Sequence, residues 1–494
     1  MRALTKITSN KLKTTLFIIV AAIAFFICFS EISFKKNNPD NYDERMWTGA
    51  SITSYKMFFE GYKRPELIIE RWFSFFAQKY NYDPRRMTYE QAQWFDDAIW
   101  TFGWKNPNTA KFIMGFFVNT FGKDVNPEGY FHRFTTDKDK NKWPGNYVPL
   151  EFVYLARIPN AILTVLSLLL VFFIGWYFFD FWIGLCASLY LTFNPLFIVT
   201  NCLARVSGSA TFFSLVVLFL SLLFLEKLNA NKSRRRIIFS ISILIGVAFA
   251  LAVGAKLNSG LILYVFVLFF GAFLLQFFRT KNQDSQKSVR LKKSRKIRRK
   301  EAGPDYKILK NFLISACLIG AVFYAVFILT NPIFYDKPLL KMKIVKEAVP
   351  HFFDIRANAL GSNNINKSFL VSLWFVIKRN FILIDPSLFF GTIGNIFKFK
   401  FNFLDLLFVL FGLYQLTTTA IKKIISRENI KKESFIIIWF FVFIVGIADF
   451  IWIDWGKYYA PIYFTSSLLF AFGLVGLAKK IKPLIYNLTL KSFF

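Results

Sequence analysis

The stretch YLARIPNAILTVLSLLLVFFIGWYFF, residues 154–179, carries one charged side chain, Arg157, and carries it at the start. From residue 156 to 178 the run is apolar and long enough to cross a hydrocarbon core of roughly 30 Å as a helix. Comparable windows recur at 182–200, 209–226, 237–254, 258–278, 311–330, 402–420, 434–452 and 458–478. Near the N-terminus, Leu12 to Phe29 reads as an uncleaved signal anchor, because no A-x-A-like site precedes EISFKK. The composition agrees: 55% of residues are hydrophobic, 65 are Phe, and the mean hydropathy is +0.41. A β-barrel would show short alternating segments instead. The expected fold class is an all-α polytopic membrane protein of about 10–12 transmembrane helices in one domain over 1–494. The count is open around 368–397, where Lys378, Arg379 and Pro386 interrupt the apolar run.

The net charge of +32 is distributed as short runs between apolar segments: KLNANKSRRR, RLKKSRKIRRK, KKIISRENIKK and KKIKP. That is the pattern of cytoplasmic loops facing anionic lipid, and it speaks against nucleic acid as a partner. With the basic N-terminus inside, strict alternation of spans puts the basic loop 279–310 and the other basic runs inside as well. Both termini are then cytoplasmic. Two larger loops fall outside, 31–155 and 331–400. Aromatic residues at helical spacing within 31–155 predict amphipathic helices held against the membrane face.

The outer loop begins with NPDNYDERMW, residues 38–47, which gathers Asp40, Asp43 and Glu44 in a chain of only 30 acids. On a helix over 39–62, Asp40 shares a face with Asp43 and Glu44 at i+3 and i+4. Acids at a helix start also complement its dipole, so capping is the plain alternative to catalysis. The four cysteines lack CxxC spacing and only His132 and His351 are present, so no zinc centre is indicated. A carboxylate pair can take a divalent ion, but no full ligand set accompanies it.

Six segments in order resemble glycosyltransferase family 39, which includes protein O-mannosyltransferases and the lipid A aminoarabinose transferase. They are YDERMW at 42–47, WKNPNTAKFIMGFF at 104–117, the stretch at 154–179, YLTFNPLFIVTNCLARVSGSATFF at 190–213, NPIFYDKP at 331–338 and WGKYYAPIYF at 455–464. The resemblance implies the type C glycosyltransferase fold. It implies inverting transfer of a sugar from a polyprenyl-phosphate carrier to a protein, lipid or glycan acceptor at the outer face of the cytoplasmic membrane. It matches Asp43 and Glu44 to the family's catalytic pair, with Asp43 as base. It also matches Arg157, Lys111 and Lys457 to cations on the carrier phosphate. Asp40, on the residues alone, is a neighbour that tunes Asp43 and belongs with the substrate-binding set.

The sequence departs from the family at Asn106-Pro107-Asn108, where His-Pro-Pro is usual, and at Ser207, where many relatives have Asp. Chemically, such a transfer needs a base for the acceptor hydroxyl and cations on the leaving phosphate. Each basic residue has an alternative role as a helix-end anchor. Lys256, in AVGAKLNSG at an outer turn, is a further candidate for the phosphate. The rival class is a multispanning transporter or lipid flippase, which ionisable residues deep within spans would favour.

The topology is testable directly. In a background without the four native cysteines, Ser285→Cys and Ser426→Cys are expected to react with a membrane-impermeant maleimide only after permeabilisation. Labelling of either in intact cells reverses the orientation.

Overall fold

The computed structural model describes residues 2–34, 42–61, 108–125, 148–229, 235–275, 306–331, 368–382, 402–425, 432–450 and 460–491. No strand occurs among them. In chain order the helices are α1 (Arg2–Phe34), α2 (Tyr42–Phe59), α3 (Thr109–Phe121), α4 (Leu150–Phe178), α5 (Phe181–Thr192), α6 (Pro195–Cys202), α7 (Ser207–Asn229) and α8 (Arg235–Ala255). Then come α9 (Leu257–Leu275, opening on a 3-10 turn), α10 (Tyr306–Thr330), α11 (Phe369–Ile377, running into a π turn over Lys378–Ile382), α12 (Asn402–Ile425), α13 (Lys432–Phe450) and α14 (Ala460–Lys491).

Eight of these are long and apolar enough to span a bilayer: α1, α4, α7, α8, α9, α10, α12 and α14. The chain is a multi-pass helical membrane protein. The expected span 182–200 is instead two helices, α5 and α6, bent by 69°. Pro195 is the cause, since it has no N–H with which to continue α5. It serves as the first residue of α6, and the Asn194 side chain caps that helix by accepting from the Phe197 N–H at 3.0 Å. The interrupted stretch 368–397 starts as α11. Its continuation lies outside the described residues, as do the amphipathic patterns at 66–104 and most of 331–400.

The helices bury small and aromatic residues against one another and present Phe25, Phe26, Trp176, Leu263 and Leu275 outward, as lipid-facing surfaces do. Where α12 crosses α14, a Cβ on Gly473 would lie 2.0 Å from the Phe408 carbonyl oxygen. Only glycine permits that approach, the close backbone packing typical of membrane helices.

The two ends of the bundle differ in chemistry. At one end Lys423 pairs with Glu433, Lys479 with Asp180 at 3.6 Å, and Lys432 donates to the Phe178 carbonyl. At the other end lie α2 and α3, packed through Trp47, Ile52, Ala110 and Met114 onto Phe152 and Ala156 of α4. That contact extends to Ala204, Val206, Ala210 and Ala255, which belong to the starts and ends of the spans. The described part of the first loop is therefore built into the bundle.

Candidate active site

Glu44 sits in the first turn of α2, fully buried. Its carboxylate meets the Arg157 guanidinium in a two-pronged pair, Nε to Oε1 at 2.7 Å and Nη2 to Oε2 at 2.6 Å. The backbone N–H of Ala204 donates to the same Oε1 at 2.8 Å. Arg157 Nη1 lies 3.5 Å from the Ile32 carbonyl oxygen at the end of α1. One carboxylate thus joins α1, α2, α4 and the bend at 203–206 that follows the broken span. A bidentate, charge-assisted pair fixes orientation as well as distance. From the sequence, Glu44 neighbours the base and Arg157 faces the carrier phosphate. The structure joins them to each other, and at 3% exposure Arg157 directs its fork at Glu44.

Asp43 immediately precedes Glu44 on the same turn of α2. Asp40 and Lys457 lie outside the described residues.

Lys111 lies in the first turn of α3 with no exposed surface. Its ammonium donates to Asn108 Oδ1 at 3.3 Å. The start of α3 is held in turn by Asn331, whose Oδ1 accepts from the Asn108 N–H at 2.8 Å while its Nδ2 donates to the Phe327 carbonyl at 2.7 Å. Two segments quoted for the resemblance, at 104–117 and 331–338, meet through this one side chain. Burial pushes the Lys111 pKa down from the ordinary lysine value to about 7, because an unsolvated ammonium is costly.

Lys256 occupies the turn between α8 and α9, and less than a tenth of it is exposed. Its Nζ donates to Ser207 Oγ at 3.4 Å. Ser207 presents a neutral hydroxyl to Lys256.

The chain neighbours of these groups, Ala110, Ala204, Val206 and Ala255, pack in one cluster, which brings Lys111, Arg205, Ser207 and Lys256 to the same end of the bundle. Arg45, Lys111, Arg157 and Lys256 are buried among the described residues, as are Glu31 and Glu44. Buried cations suit an anionic ligand. Among the described residues no group of three or more His, Cys, Asp or Glu is gathered to hold a metal ion.

A crevice of about 350 Å³ runs between α7, α8, α9, α10 and α13. Its walls are apolar but for Ser221 and include Phe249, Phe266, Phe270, Phe312 and Phe323. Val253 and Gly260 line it and bracket Lys256 in the chain. A Cβ on Gly260 would meet nothing within 4 Å, so there is open space at that residue.

No family model matches the sequence, and no curated protein matches it. Among solved structures, the apo form of the Archaeoglobus fulgidus oligosaccharyltransferase aligns with a TM-score of 0.50 and 12% identity, over 97% of this chain. The fold is that of a type C glycosyltransferase. The archaeal enzyme in complex with an inhibitory peptide and a dolichol-phosphate aligns over 98% of this chain, with a TM-score of 0.49 and 12% identity. This chain spans about half the length of either, 52%. At that identity the likeness concerns architecture, and the chemistry rests on this chain's own residues.

Glu44→Gln leaves the buried Arg157 without its counter-charge and is expected to cost about 3–5 kcal/mol of stability. Replacing both partners, Glu44→Leu with Arg157→Met, is expected to cost less than the single change. Thermal unfolding in detergent separates the two, and a double variant less stable than Glu44→Gln would show that the stranded charge is not what the single change costs.

The Lys111 ammonium gives a pH dependence of known sign. Its folded-state pKa lies below the unfolded value, so between about pH 7 and the ordinary lysine range the unfolded chain holds the extra proton. Stability should therefore rise with pH across that window. Lys111→Met should flatten the rise, and an unchanged slope in that variant would assign it to another group.

Proposed function

We propose that this chain is an inverting glycosyltransferase that moves a sugar from a polyprenyl-phosphate carrier to an acceptor hydroxyl at the outer face of the cytoplasmic membrane. The observation that carries the reading is an apolar crevice within the membrane spans, lined in part by Val253 and Gly260, the near chain neighbours of the buried Lys256. That pairing suits a ligand with an anionic head and a long hydrocarbon chain.

In this reading Lys256 and Lys111 bind the carrier phosphate. The Lys111 pKa near neutrality makes its proton responsive to an arriving anion, which favours the charged form. Asp43 accepts the proton of the acceptor hydroxyl, whose oxygen then bonds to the anomeric carbon. The bond from that carbon to the phosphate oxygen breaks with its electron pair, and the carrier phosphate leaves into the cationic site. Base and leaving group lie on opposite sides of the sugar, as inversion requires. Glu44 and Arg157 hold the base-bearing turn against the bundle. Lys457 keeps the role the resemblance implies, on the phosphate, and Asp40 tunes the base as its neighbour.

The test uses the protein in liposomes with a series of polyprenyl-phosphate sugars, following release of the carrier phosphate. Asp43→Asn should bind an unreactive carrier analogue normally while turnover falls by about two orders of magnitude or more. Lys256→Met should weaken analogue binding. Undiminished turnover in Asp43→Asn would remove the base, and lipid translocation without sugar transfer would identify a flippase instead.

A further inference from the structure

The bend between α6 and α7 serves both sides of the site. Through the Ala204 N–H it is tied to Glu44, and so to the turn that carries Asp43. Through Ser207, at the start of α7, it is tied to Lys256. The four residues from Leu203 to Val206 thus bridge the proposed base and the proposed phosphate site. They belong to neither flanking helix.

Their shape is imposed by Asn160. This residue lies on α4 one turn beyond Arg157 and has no exposed surface. Its amide nitrogen donates to the Leu203 carbonyl at 2.6 Å and to the Arg205 carbonyl at 2.8 Å. A primary amide has two hydrogens, and here they go to the carbonyls on either side of Ala204. Asn160 Oδ1 accepts from Ser209 Oγ at 3.5 Å, so the same side chain also touches the first turn of α7. The bend is therefore gripped from one helix at two levels, by Arg157 through Glu44 and by Asn160 directly.

Gly208 is part of the same fit. A Cβ there would fall 2.4 Å from the Asn201 carbonyl oxygen and 3.1 Å from Asn160 Oδ1. Any larger residue must displace either the end of α6 or the amide that holds the bend.

We propose that Asn160 is a positioning residue for the transfer reaction. By fixing the carbonyls of Leu203 and Arg205, it sets the spacing between the Asp43–Glu44 turn and the Ser207–Lys256 pair. The proposal rests on the functional reading above. Its physical basis is that misplacing reacting groups by about 1 Å can cost roughly 10²-fold in rate while leaving binding intact.

Two variants test it. Asn160→Asp keeps the size of the side chain and an acceptor for Ser209 but removes both donors. Gly208→Ala keeps the amide but puts a Cβ 2.4 Å from the Asn201 carbonyl oxygen and 3.1 Å from Asn160 Oδ1, so the end of α6 or the amide must shift. In each, turnover per folded molecule at saturating carrier should fall about 10–100-fold, while affinity for an unreactive polyprenyl-phosphate analogue changes by no more than about twofold. Hydrogen exchange at the Ala204 amide should accelerate in both. Unchanged turnover per folded molecule overturns the proposal. So does a loss of turnover and analogue binding in parallel with thermal stability, which would mean that Asn160 only holds the fold. Should the wild-type protein transfer no sugar from any polyprenyl phosphate, the functional reading fails, and Ala204 exchange alone then decides whether Asn160 holds the bend. Exchange unchanged in Asn160→Asp would show that it does not.

Discussion

The carboxylate of Glu44 is where the first loop, the first span, the second span and the broken span become one body. A buried ion pair of this kind contributes little net stability, since desolvating two charges offsets most of their attraction. Its effect is on specificity of arrangement. With Arg157 pointing to Glu44 and the Ala204 amide donating to the same carboxylate, α2 can dock on the bundle in one register only. Any other register would leave a guanidinium buried without its partner. The position of the α2 turn and the path of the 203–206 bend are consequences of that constraint.

A second constraint is the break at Asn194-Pro195. A straight span would have carried residues 203–206 up along the bundle axis. The 69° bend turns α6 aside so that Leu203 and Ala204 arrive beneath α2. The backbone groups that irregular structure leaves over inside a membrane protein need partners. Here Asn160 serves two carbonyls and Glu44 serves an amide. Polar residues on α2 and α4 therefore answer for a discontinuity located elsewhere in the chain.

The spans were the most legible part of the sequence. The apolar run at 156–178 became α4, that at 237–254 became α8, and that at 311–330 became α10, each within a few residues. Lipid is a uniform partner, so composition alone decides such segments. The broken span was harder, because both halves are apolar, although Asn194 before Pro195 is a readable helix start. Least legible was the site. Glu44 and Arg157 are 113 positions apart, and no periodicity links them. Asn160 is an isolated amide within an apolar helix, and its significance depends on two carbonyls that only the folded chain brings near. Asn331, quoted within NPIFYDKP, owes its place to a backbone amide at Asn108, across 223 positions.

The crevice between α7 and α10 has a further consequence. Leu263 and Val267 both line it and show more than half of their surface to the surroundings. In a bilayer those surroundings are acyl chains, so the slot samples the two-dimensional solution of the leaflet and is reached by lateral diffusion. Occupancy is then set by mole fraction within the membrane, and abundant ordinary lipids compete with any dedicated ligand at every encounter. Extraction into micelles replaces that competitor pool with detergent tails. The protein's apparent affinity for an amphiphile is in that sense a property of its solvent as much as of its phenylalanines.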